Sequence, residues 1–200
     1  MKKLFLLTSA VMMLSFLVVD PISQKERKDA IKLLKDTEKG VFDQVKGLSE
    51  AQLKFKPAPD RWSVEECVKH IAASEEMLWQ ATEGTLKAAA NPEKRSEIKA
   101  TDEQLVKNIE DRSTKRKTIE KLMPENIPFK NTEEALASFK KNREKLIDYV
   151  KSTNEDLRNH VATMPFGMLD SYQLILFIAG HSNRHTQQIM EVKADANFPK

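Results

Sequence analysis

Residues 174–189 read LILFIAGHSNRHTQQI. Six apolar residues, Leu174 to Ala179, run without a polar break; a glycine follows, and then His181 and His185 stand four positions apart. Ile175, Ile178, Ile189 and Val192 recur at helical spacing, and Asp170 followed by Gln173 has the pattern that satisfies free amides at a helix start, so the spacing predicts a helix over 171–193. Positions four apart share a helix face, so His181 and His185 can point their imidazoles at a common atom.

The same reading extends outward. Ser23/Glu26, Ser63/Glu66, Thr101/Gln104 and Asn131/Glu134 repeat the cap-and-third-residue pattern. Apolar residues at helical spacing follow three of them: Leu34, Val41, Val45; Val64, Ile71, Leu78; and Leu136, Phe139, Leu146, Val150. These predict helices over 24–46, 63–87 and 132–151. With only five glycines and no alternating β-branched run, strand signals are nearly absent, and an all-α four-helix bundle is the economical fold. The connection between the second and third long helices runs about 45 residues, with one short helix after Thr101, a length that allows a long crossover along the bundle. KFKPAPDRW (54–62) and LMPENIPFK (122–130) read as proline-punctuated extended segments.

Two hundred residues, 40% hydrophobic and 32% charged, suffice for one globular domain, assigned to 20–200, that buries a core without disulfides or a structural metal. Residues 1–19 differ. Lys2 and Lys3 precede an apolar run from Leu4 to Val19 broken only by Thr8, Ser9 and Ser15, the pattern of a secretory leader, or of a membrane anchor if it is retained. The expected localisation is therefore export, periplasmic or extracellular, with membrane attachment only through an uncleaved leader. Loss of the leader removes two lysines and no acid, lowering the formal charge from +3 to +1. A near-neutral chain argues against nucleic acid as a partner. The dense basic cluster of Arg112, Lys115, Arg116 and Lys117 lies among acids and reads as a solvated face. Cys67 stands alone, so an oxidising compartment offers it no intramolecular disulfide, and its apolar helix position points to packing.

Two imidazoles make half a metal site, and the candidates for a third ligand are His70, His160, Cys67 or a carboxylate. His70 shares a face of the second long helix with Cys67, Ser74 and Met77 and is chosen; His160, in the polar stretch NEDLRNH, fits a surface or capping role. On spacing alone, ordinary buried histidines satisfied by hydrogen bonds explain the pair equally well. The motif lacks the glutamate of H-E-x-x-H, so no zincin-type base is encoded.

The succession LSEAQLKFKPAPDRWSVEECVKHI, a long crossover, PFGMLDSYQLILFIAGHSNRHTQQI and EVKADANFP resembles the DinB-like superfamily of helical bundles over roughly 24–199. WSVEECVKH and GHSNRHTQQI carry most of it. The resemblance implies that His70, His181 and His185 bind a divalent metal ion within the bundle; all-imidazole ligation suits zinc, nickel, iron or copper, of which zinc, nickel or iron is expected, and the resemblance does not choose among them. It also implies that relatives can carry a further polar or histidine residue near Met164, and the leader is unusual for such a family.

Three imidazoles leave coordination positions open, as in catalytic sites. The function expected is a metal-dependent hydrolase in which the bound cation activates water for an unidentified small-molecule substrate. A non-catalytic metal- or ligand-binding bundle and a metal-dependent thiol S-transferase are the alternatives. The auxiliary candidates are Glu66, one turn before His70 but already part of a capping box, and Gln188, on the face of His181 and His185. Asn142 interrupts the apolar stripe of the third long helix. Trp62 and Trp79 are expected at the bundle ends or edges, and Arg184, about 100° round the helix from His185, is not placed in the site by its position. Bundles of this kind can also pair through exposed helix faces into a homodimer.

Overall fold

A computed structural model describes residues 22–200; the leader or anchor expected at 1–19 lies outside the described residues. Four long helices, α1 (Gln24–Val45), α3 (Val64–Lys87), α5 (Thr132–Ser152) and α6 (Ser171–Lys193), form the bundle. Two short helices, α2 (Glu50–Lys54) and α4 (Asp102–Glu110), lie in the connections. Among the described residues no helix is long and apolar enough to cross a membrane.

Local chemistry sets the helix starts. Ser23, Ser63 and Thr101 form reciprocal capping boxes with Glu26, Glu66 and Gln104, and Ser49 with Gln52 adds one that the sequence reading passed over. Asn131 and Asp170 accept the expected amides, but their third-residue side chains serve elsewhere: Glu134 takes the Lys130 N–H, and Gln173 donates to Ala100 O and Asp102. For Gln173 tertiary partners outcompete the local return bond; for Glu134 the competing partner is local, the amide just before the cap.

Side-chain pairs give the helix directions. Tyr172 Oη donates to Glu26 O and Lys193 Nζ to Gln44 O, so α1 and α6 run parallel. Thr132 bonds Glu65, Arg143 bonds Glu75 and Tyr149 packs on Trp79, so α3 and α5 also run parallel. Residues 88–131 therefore return along the length of the bundle, and α4 packs on the outer face of α6. There a Cβ on Gly180 would meet Ile109 at 3.5 Å.

The departure from an all-helical chain is a hairpin, β1 (Val161–Met164) with β2 (Gly167–Asp170), antiparallel with Val161 opposite Asp170 and Met164 opposite Gly167. Pro165 and Phe166 form its turn, and Gly167 at φ 134° takes a conformation that side chains with a Cβ rarely adopt. VATM and GMLD carry no strict apolar–polar alternation, which is why periodicity missed them.

The core falls into three apolar clusters, the smallest of them Leu105, Ile109, Leu169 and Leu174 between α4, the hairpin and α6. Of the larger two, Leu34, Leu78, Leu146, Ile175 and Ile178 occupy one end; Val41, Ile71, Phe139 and Ile189 the other. Between them lies a polar layer centred on Arg143, which is 0% exposed. Its Nε and Nη2 donate to the Glu75 carboxylate at 2.6 and 2.7 Å, Nη1 to Leu34 O and Thr37 Oγ1, and Nη2 to Ser182 Oγ. One guanidinium thus joins all four long helices. A second, at Arg158, binds Glu26, Asp102 and Asp170 and ties together the starts of α1, α4 and α6.

Candidate metal centre

The antiparallel packing of α3 on α6 brings His70 against His181 and His185. Each of the three offers a ring nitrogen, and these atoms all lie within 4.8 Å of one another, an arrangement that could hold a metal ion. Ring centroids are 4.4 Å apart for His70 and His185, 4.6 Å for His181 and His185, and 5.2 Å for His70 and His181. His70 and His185 are buried, and His181 is half-buried.

The partners of the outer ring nitrogens orient the inner ones. His70 Nδ1 lies 3.0 Å from Leu122 O. A carbonyl only accepts, so Nδ1 carries the proton and Nε2 turns its lone pair inward. His185 Nδ1 likewise donates to Gln188 Oε1 at 3.0 Å, and Arg112 Nη1 donates to the same oxygen at 3.5 Å. The Nε2 atoms of His70 and His181 are 3.4 Å apart, with Ser74 Oγ 3.3 Å from His70 Nε2. Two nitrogens bound to one tetrahedral zinc at about 2.0–2.1 Å stand about 3.3 Å apart, so the His70–His181 spacing fits such an ion.

Burial pulls His70 down to about 4 and His181 to about 3; the cationic form of His70 and the Arg184 charge add to the effect at His181. Burial likewise holds His185 well below its ordinary range, with His181, His70 and Arg112 adding to it. All three are therefore neutral near pH 7, the form that ligates metal. A stability prediction follows from the sign. An unfolded imidazole titrates near 6.5, so between that value and about 4 the unfolded chain takes up protons that the folded triad refuses. Stability conferred by the neutral triad is present above about pH 6.5 and is lost as pH falls. The melting temperature of metal-free protein is expected to drop from about pH 7 to about pH 5, and to drop less in His185→Leu. Parallel profiles for the two proteins would contradict this account.

Two rings are held by aromatic stacking. Trp62, expected at the bundle ends or edges, stacks on His185 with centroids 5.8 Å apart and also contacts His70 with centroids 4.8 Å apart, which makes it part of the site. Phe177 stacks on His181 at 6.0 Å. Trp79 packs on Tyr149, away from the triad. Gln188 sits beside the triad as the partner of His185, whereas the Glu66 carboxylate is taken up by Ser63 N and Lys56 Nζ. Cys67 is buried in the apolar cluster of Val41 and Ile189, and burial pushes its thiol pKa up, as packing requires. His160 bonds Thr85 O at the end of α3, remote from the triad in the fold. Met164 packs with Leu105, Ile109, Leu169 and Leu174. Asn142 is half-buried beside Arg143, the residue that turns into the polar layer. Leu122, supplied by the long connection, had no sequence signal: an orienting backbone carbonyl has no residue type.

A family model described as the DinB superfamily matches residues 33–189. The chain belongs to the DinB superfamily. Another protein similar to this DinB-superfamily chain is YuaE of Bacillus subtilis (strain 168), uncharacterised, 28% identical over 153 residues that span 76% of this chain and 90% of YuaE. Among solved structures the fold is similar to that of YfiT from Bacillus subtilis, with a TM-score of 0.61 at 15% identity, covering 89% of this chain and 91% of YfiT. YfiT is described as a probable metal-dependent hydrolase with an unusual four-helix bundle topology. At that identity the likeness is one of fold.

Proposed function

We propose that this DinB-superfamily chain is an exported metal-dependent hydrolase in which His70, His181 and His185 hold a divalent cation. The observation that carries the proposal is the triad itself: three neutral imidazoles, two of them fixed through Nδ1 by Leu122 O and Gln188 Oε1, converge at a cleft of about 720 Å³. When bound, such a cation supplies Lewis-acid polarisation and activation of water. The remaining contributions come from the chain. Trp62 and Phe177 brace the rings of His185 and His181, and Arg112 fixes the Gln188 amide that sets the His185 tautomer. Glu191 also faces the cleft, but its hydrogen bond to Arg112 holds its carboxyl below the usual range, which suits it to positioning Arg112 and Arg61 more than to taking a proton. The fold likeness to YfiT agrees in reaction class. Export rests on the charge and apolar pattern of residues 1–19.

The test is turnover. Protein expressed from Asp20 onward and reconstituted with zinc, nickel or iron is screened on carboxylic esters, amides and phosphoesters. Hydrolysis of one class is expected to require metal and to fall at least about 100-fold in His181→Ala with helicity unchanged. Full metal loading without turnover in any class would make the bundle a metal-binding protein and end the hydrolase reading.

A further inference from the structure

The cluster Arg112, Lys115, Arg116 and Lys117, read from sequence as a solvated face, is exposed at its three last members and also lines the histidine cleft. Its position is built. Arg184, on α6 beside His185, turns its guanidinium onto the carbonyls of Ile109, Asp111 and Thr114. Asn183 holds the Glu110 side chain, Gln187 holds the Glu110 carbonyl, and Glu191 takes Arg112 Nε and Nη2 at 3.0 and 2.7 Å. One face of α6 therefore carries the histidines while its flank clamps 109–114, and the basic segment is presented over the site.

The charges are unbalanced. Six cations and two acids line the cleft. Glu191 serves both Arg112 and Arg61, whereas among the described residues no carboxylate lies within ion-pair distance of Lys115, Arg116, Lys117 or Arg184. Lys115, Arg116 and Lys117 are exposed. A low-dielectric cleft rimmed by one sign of charge focuses its field and concentrates ions of the other sign.

Part of the cleft lining is aromatic. Phe166, at the hairpin turn, is 49% exposed, lies parallel to Phe177 with centroids 4.9 Å apart, and Phe177 in turn stacks on His181. A large exposed aromatic continuous with the candidate centre is surface available for an apolar ligand group.

Resting on the reading of the triad as the reaction centre, we propose that the substrate is an amphiphilic organic anion. Its carboxylate or phosphate group meets Lys115, Arg116 and Lys117, and its apolar body lies on Phe166 and Phe177. The hairpin and the basic segment are then the two specificity elements, one selecting the body and the other the head.

Calorimetric titration of metal-loaded protein with phenylphosphonate and with benzyl alcohol, its neutral counterpart, tests this. Phenylphosphonate is expected to bind at least about tenfold more tightly, and substituting Lys115→Gln, Arg116→Gln and Lys117→Gln together should remove about tenfold of that affinity while leaving the alcohol unchanged. Phe166→Ala should weaken both. The titration is repeated on the His70→Ala, His181→Ala variant, because a phosphonate can also bind a metal directly. Rim dependence that persists there supports the proposal even if metal analysis finds no ion, in which case only the hydrolase reading fails. An anion preference untouched by the triple substitution, or no preference at all, overturns it.

Discussion

Chain carrying both His70→Ala and His181→Ala is expected to retain no divalent ion after purification and dialysis, where the wild type retains about one per chain by mass spectrometry of the metals. Donor count sets the size of the effect. Each ligand nitrogen enters a binding free energy that depends on neutral, pre-aimed imidazoles, and a single remaining nitrogen on His185 cannot compete with water. Loss of even an orienting partner costs about 10–100-fold in metal affinity, so loss of two ligands should exceed that range. The effect also has a stability readout. A metal that binds only the folded chain adds about 2.7 kcal/mol at a concentration 100 times its Kd, so the wild-type melting temperature should climb with added zinc while that of the variant stays flat. Folding itself should persist, since neither substitution removes an apolar side chain from the core clusters. A double variant that still holds one ion per chain would place the site elsewhere and remove the basis for a metal-dependent activity.

Arg143→Met is expected to be the most destabilising single change in the bundle. It leaves the Glu75 side chain, 1% exposed, without its counter-charge, and strips a donor from Leu34 O, Thr37 and Ser182. Breaking a buried pair by removing one partner costs about 3–5 kcal/mol, because an uncompensated charge stays out of water. In a domain of this size that lowers the melting temperature by roughly 6–20 °C. Added salt should not reproduce the effect, since a pair buried this deeply is little screened. Metal affinity should fall as well, because Glu75 lies on the helix that carries His70, and Ser182 directly follows His181. A shift below about 2 °C would mean that water reaches the layer and the guanidinium is not what holds the four helices in register.

These two predictions rest on residues of unequal legibility. His181 and His185 announce themselves by a four-residue interval at the end of an apolar run, and the caps at Ser23, Ser63 and Thr101 mark helix starts to within a residue. Arg143 is invisible by comparison. It stands in KKNREK, a stretch that reads as solvated, and Asn142 beside it drew the attention that the arginine warranted. A buried charge is betrayed only by the groups that neutralise it, and here those come from three other helices. Trp62 presents the same difficulty: a tryptophan before a cap reads as an end-packing residue until the antiparallel fit of α3 and α6 lays it against His185.

What the amino-acid order determined by itself is local. Hydrophobic spacing, capping residues and the scarcity of glycine specify four long helices and the face on which each imidazole stands, because those depend on interactions within one or two turns. What only the tertiary structure decided is non-local: the parallel pairing of α3 with α5, the Leu122 carbonyl behind His70, and the placing of Arg112, Lys115, Arg116 and Lys117 in the cleft of the histidine triad. Arg112 and Gln188 are separated by 76 positions. No periodicity spans such an interval, and the meeting of basic rim and histidine floor follows from which helix faces had to be buried together.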